Sequence, residues 1–202
     1  MKLVTAILTG DIINSQMVAP ENWLPHLKEV LSVYGTEPKS WEIYRGDSFQ
    51  LEVPSKVALK AAIHLKAAIK QEKALDVRIA VGLGEKKYSS EKITEANGSA
   101  FVNSGQCFEN LKKTTLAIKS DSEDLDATIN IMLQLASLSM DNWLPATSRI
   151  VKAAIEHPNA NQKQLAALLE KSQSSISEAL IRAGFDEIQK MMQFYTTQLH
   201  QL

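Results

Sequence analysis

Two rhythms of apolar residues alternate along this chain. Residues 3–9, Leu-Val-Thr-Ala-Ile-Leu-Thr, form an unbroken β-rich run that Gly10-Asp11 closes, which predicts a buried strand. Trp23, Leu27, Val30, Leu31 and Tyr34 then recur at helical steps, with Gly35 as the stop. Trp41 and Ile43 alternate with Glu42 and Tyr44. Phe49, Leu51 and Val53 alternate with Gln50 and Glu52, so Arg45-Gly46-Asp47-Ser48 reads as a hairpin turn. A long helix follows from Pro54-Ser55 to about Lys73, with Leu59, Ile63 and Ile69 inward. His64, set among Lys56, Lys60, Lys66 and Lys70, is expected on its solvated face. Val77, Ile79, Val81 and Leu83 predict a fourth strand ending at Gly84, and residues 115–119 a fifth. Between them, residues 99–113 predict a helix with Phe101, Gly105, Phe108 and Leu111 on one side. Residues 121–140 predict a helix with Leu125, Ile129, Met132, Leu133 and Leu135 turned inward.

The order β-α-β-β-α-β-α-β suits an α/β (α+β) fold, a ferredoxin-like split β-α-β sheet with helices packed on it. Asn142-Trp143-Leu144-Pro145 marks a junction, so the expected domains are 1–142 and 145–202. The second reads as all-α. Leu165, Ala166, Leu168 and Leu169 make the apolar side of one short helix, and Ile176, Leu180 and Ala183 that of another. Ser172 stands where an N-cap is wanted. This is the layout of a helix-turn-helix whose second helix would lay Gln173, Ser174, Ser175 and Ser177 along bases, with Lys171 and Arg182 near phosphates. The turn position that commonly holds a left-handed glycine falls on Glu170 and Lys171. Six Lys and Arg stand against five Asp and Glu from 145 to 202, a small footprint for a phosphate backbone. A three-helix protein-binding module is the alternative.

Composition narrows the classes. At 202 residues the chain holds one medium domain and a small one. A net charge of −1 argues against a protein that coats nucleic acid over its whole surface. Cys107 is the only cysteine, so no internal disulfide forms and a reducing compartment is expected. The apolar run at residues 3–8 is too short for a signal-peptide core with its cleavage site or for a membrane span. These readings predict a cytoplasmic protein without a membrane partner.

The split sheet would set Asp11, at the end of the first strand, beside Asp47 at the hairpin tip. Two carboxylates at strand ends suit Mg²⁺ or Mn²⁺, with a nucleotide's phosphates completing the shell. Each Asp also has a plain use in its own turn. His26, His157 and His200 show no metal-ligand spacing.

Gly10-Asp11-Ile12, the hairpin Arg45-Gly46-Asp47-Ser48-Phe49, the strand from Val77 to Gly84, and Ala100-Phe101-Val102-Asn103 resemble four landmarks of the class III nucleotide cyclase fold. The hairpin is also similar to that of diguanylate cyclases. With its trailing helix-turn-helix, the whole chain resembles the SatD-like family of small bacterial proteins. The resemblance implies metal ligation by Asp11 and Asp47, and a nucleotide near Arg45, Gly46 and Asn103. It also implies an Arg four residues after Asn103, where Cys107 stands, and a base-selecting Lys before the hairpin, where Ile43, Tyr44 and Arg45 stand. Without a cation on the transition-state charge, phosphoryl transfer loses a large electrostatic contribution. No catalytic residue is assigned. The expected protein is a DNA-binding regulator with a degenerate cyclase-like sensory domain. A metal-dependent nucleotide-processing enzyme and a protein-interaction module are the alternatives.

The last helix carries Phe185, Ile188, Met192, Tyr195, Leu199 and Leu202 at alternating three- and four-residue steps. Such a seam must be buried. A two-fold partner helix, hence a homodimer, is the expected cover.

Overall fold

The computed structural model describes residues 5–199. Strand β1 (Thr5–Ile13) is followed by a single 3-10 turn (Ser15–Met17) and helix α1 (Pro20–Tyr34). Strands β2 (Trp41–Tyr44) and β3 (Ser48–Pro54) form the hairpin, and α2 (Ala58–Ile69) follows a 3-10 turn at Ser55–Val57. Next come β4 (Asp76–Gly84), α3 (Ser99–Asn110), β5 (Leu116–Lys119) and α4 (Glu123–Met140). The chain ends in α5 (Pro145–Glu156), α6 (Gln162–Leu168), α7 (Gln173–Ala183) and α8 (Phe185–Leu199). Among the described residues the strands make one mixed sheet in the order β2-β3-β1-β4-β5. Only β4 and β5 run parallel. No described helix is long and apolar enough to cross a membrane.

Strand β1 does not stop at Gly10-Asp11 but runs on to Ile13, because both neighbours keep pairing with it: Asp11 lies opposite Ser48 on β3 and Arg78 on β4. Gly10 is required there by space. A Cβ at that position would meet the Phe49 ring at 2.5 Å.

The two faces of the sheet differ. Ala6, Leu8, Phe49, Leu51, Val53, Val77, Ile79, Val81 and Leu83 point into the main core with α1, α2 and α5. The opposite face of β1 and β4 is covered by α3. That helix buries Ala100, Asn103, Ser104 and Cys107, so the inward face expected through Phe101, Gly105 and Phe108 is rotated. The cause lies in the sheet. At Gly82 an added Cβ would come within 2.2 Å of the α3 backbone, so the helix sits too close for anything but small residues.

Helix α2 departs most from expectation. Eleven of its twelve residues are buried, His64 and Lys66 included, so this is no solvated face. The sheet lies on one side, and α1 and α5 close the other. Residues 141–144 lie between α4 and α5, and one hydrophobic cluster continues from Ala6 to Tyr195 across them. Trp143 is buried at that junction and donates its indole N–H to the Ala183 carbonyl at 3.1 Å.

Candidate functional site

The hairpin tip and the end of β1 do come together. Arg45 and Gly46 both have positive φ, 55° and 92°, in a three-residue loop closed by Tyr44 opposite Ser48. The Asp47 carbonyl accepts from the Ile12 amide at 3.1 Å, and its carboxylate accepts from the Ser15 hydroxyl at 2.5 Å. Asp11 is one register step away, on the face opposite the main core. Its two carboxylate oxygens are taken by Arg78, from Nε at 2.9 Å and from Nη2 at 2.5 Å. The guanidinium also stands 5.6 Å from the centre of the Phe108 ring. The hydrogen bond to Asp11 raises the Arg78 pKa further above its ordinary value.

This pairing changes the chemistry of the site. An empty pair of carboxylates repels itself and draws a cation, whereas Asp11 already has one. A divalent ion on Asp11 and Asp47 would have to displace Arg78, so the pair does not form a ready-made hard-oxygen site. Among the described residues no group of three or more His, Cys, Asp or Glu is placed to hold a metal. Arg78 was missed in the sequence because nothing marks it until the β1–β4 register is known. Tyr44 was missed likewise; burial, together with the charge of Asp11 against that of Arg45, raises its pKa.

Asn103 is not part of this end. Its amide donates to the Leu83 carbonyl at 2.8 Å and to Asp121 at 3.1 Å. Leu83 pairs with Ala6, while Asp11 pairs with Arg78 five residues along β4, about 17 Å away. Arg45 and Gly46 therefore share a site with Asp47, and Asn103 lines a separate cavity of about 720 Å³ between α3 and the start of α4. Neither a surface amide nor a helix cap, Asn103 is buried and bonded to the strand. Cys107 is buried one turn further on, and burial pushes its thiol up to about 11, so it supplies no charge at neutral pH.

The C-terminal helices carry the second constellation. Asn161 caps α6 and exchanges bonds with Gln164, a reciprocal capping box. The helix ends in a Schellman turn: Lys171 N–H donates to the Ala166 carbonyl at 2.9 Å, and Glu170 N–H donates to that of Ala167 at 3.4 Å. Glu170 holds the left-handed position, with φ 53°. Ser172 caps α7 by accepting from the Ser175 amide at 3.2 Å. Ile176, Ala179 and Ala183 face inward toward α5 and α6, while Lys171, Gln173, Ser174 and Ser175 are exposed and Ser177 is half-buried. Leu168, expected inward, is exposed. Arg182 lies nine residues beyond Gln173, roughly 14 Å along the helix, and lines a groove beside α4. It does not join the opening turn.

The α8 seam is covered by its own chain. Phe185, Ile188 and Tyr195 are buried, Met192 and Leu199 are half-buried, and Leu202 lies outside the described residues. Tyr195 donates to the Ser55 carbonyl at 2.8 Å. The seam is thus not free for the two-fold partner helix expected of it. Comparison of the chain with family models, with curated proteins and with solved structures returns no match.

Proposed function

We propose that this chain is a cytoplasmic DNA-binding regulator of the SatD-like type. In this reading α6 and α7 contact DNA, and the α/β part is a sensory body with a degenerate nucleotide cyclase-like site. The observation that carries it is the α6–α7 turn. A sharp left-handed break at Glu170 leads into a capped helix, with Lys171 exposed just before the cap and Gln173, Ser174 and Ser175 exposed in the first turn. The alternation β1-α1-β2-β3-α2-β4 with the sheet order β2-β3-β1-β4 supports the cyclase-like part of the resemblance. Selection from random DNA duplexes is the test. A sequence should be enriched, Gln173→Ala should relax preference at one position, and Lys171→Ala should weaken all sequences alike. Binding should fall with salt on a shallow slope, since few cations face the DNA. Enrichment of nothing would overturn the reading.

A second reading is a metal-nucleotide held at Asp11 and Asp47, favoured by their meeting at one end of the sheet. It requires Arg78 to release Asp11. Millimolar Mn²⁺ or Mg²⁺, with or without a nucleoside triphosphate, would then raise the melting temperature, and Asp47→Asn would abolish the shift. Equal behaviour of wild type and variant would remove this reading. Cyclisation of ATP or GTP is expected to stay at background, because the buried neutral Cys107 stands where the transition-state Arg is needed.

A further inference from the structure

Helix α4 carries no charged residue across the fourteen positions from 127 to 140. Its polar positions there, Thr128, Asn130, Gln134, Ser137 and Ser139, are all uncharged. One side of α4 is buried and the other is not. Leu125, Ile129, Leu133, Ser137 and Met140 pack inward, while Ile131, Leu135 and Leu138 project outward at helical spacing. Leu144 on the junction and Ile181 near the end of α7 are exposed too, and Leu135, Leu138 and Leu144 line one groove with Arg182. These five apolar residues are 59% to 74% exposed.

We infer that this face is the contact between two copies of the chain, with α4 packed antiparallel on α4 of the second copy about a two-fold axis near Leu135. Two observations favour a second copy. The first is area: five such side chains expose about 600 Å², the top of the range for a patch on a monomer, and their polar rim brings the surface near the ~800 Å² per partner of a standard interface. The second is charge. A two-fold axis brings each residue toward its own kind, and an uncharged stretch is the composition that meets no like-charge penalty there. At its ends the antiparallel sense sets exposed Asp124, in the first turn of one α4, toward the other copy's C-terminal end, where Arg182 stands.

Oligomeric state tests this without DNA, so its failure and that of the DNA reading are separable. Light scattering and sedimentation from 1 to 100 μM should give about twice the 22.3 kDa chain mass. The paired substitution Leu135→Glu with Leu138→Glu should weaken dimerisation at least 100-fold while leaving the circular dichroism spectrum intact, because neither side chain is buried. Leu135→Cys should cross-link to itself under mild oxidation, while Met17→Cys, equally exposed but off the face, should not. A wild-type monomer throughout that range overturns the inference. So does a dimer that survives the paired substitution, or one that cross-links equally at Met17→Cys. A monomer that binds a different protein through this face would also overturn it.

Discussion

Helices α2 and α4 lie on the same core and invert the usual relation between charge and exposure. In twelve residues α2 carries Lys60, His64 and Lys66, and eleven of the twelve are buried. Without one charged residue after Asp126, α4 leaves a leucine-rich stripe in water. The difference is one of position. α2 sits between the sheet and two helices, so whatever it carries is enclosed and must find partners. Lys66 Nζ lies 2.6 Å from Asp76, 2.7 Å from Asp141 and 3.1 Å from the Thr115 hydroxyl. Lys70, just past the helix end, donates to Asp76 at 3.1 Å and to the Asp141 carbonyl at 2.8 Å. His64 touches the Tyr34 hydroxyl at 3.2 Å and Glu156 at 3.1 Å, and Glu156 accepts from Lys152 at 2.7 Å. At the sheet edge, α4 has a neighbour on one side alone. Burial is therefore assigned by the stack, and side-chain chemistry decides what else each site must supply.

The sharpest way to break the comparison is Lys66→Ala. Removing Lys66 from this buried cluster leaves Asp141 without its cation and Asp76 with Lys70 alone. The cost should be about 3 kcal/mol, the low end for such losses because water reaches Asp141. Urea unfolding measures it. Next comes a contrast within α4. Leu133→Ala should cost about 2–3 kcal/mol, whereas Leu135→Ala, two residues away, should stay within ~0.5 kcal/mol at protein concentrations where the chain is monomeric. Equal costs would mean that the outer face is already covered.

The third effect is a pH slope. Burial lowers the His64 pKa below its ordinary 6.5; the charge and hydrogen bond of Glu156 pull the other way, and Lys152 and Lys60 add to the fall. The unfolded chain then takes up the proton first. Stability should be fullest above pH 6.5 and decline as pH drops below it. Glu156 is also depressed: burial raises its pKa, but the hydrogen bond and charge of Lys152, with His64, outweigh that, so a further loss follows at more acid pH. His64→Gln should flatten the upper part of this decline, measured as midpoint denaturant concentration from pH 7.5 to 5. The smallest effect is a gain. Glu170 holds a left-handed backbone angle, so Glu170→Gly should stabilise by about 0.5–1 kcal/mol, raising the melting temperature by roughly 2 °C.

The five strands and the helices between them were legible in the sequence because their rhythms are local, although β1 runs on to Ile13 and α2 stops at Ile69. The hairpin, β4, α1 and the Ser172 cap each depend on residues within a few positions of one another. What was illegible depends on distant partners. Lys66 and His64 look solvent-facing until Asp141 and Glu156, 75 and 92 positions on, are brought over them. Asp11 reads as a bare carboxylate until the sheet register supplies Arg78. The outward turn of Leu135 cannot be told from the inward turn of Leu133 in a helix with leucines on both sides and a polar Ser137 on the buried one. The small side of α3 faces inward because of Gly82 on another element. The α8 seam was visible as a seam, but not what covers it.

Tyr195 closes a loop of 140 residues by reaching back to Ser55, and that bond has a bearing on synthesis. A chain emerging from its N-terminus can pair β1 with β3 and β4 long before α8 exists. The brace between α8 and the start of α2 must wait until residue 195 has been made. Contacts of such long sequence separation also form late in refolding, since their closure entropy is met only after nearer contacts are in place. The order of synthesis thus makes the last helix a latch, fastened after the sheet it holds is already built.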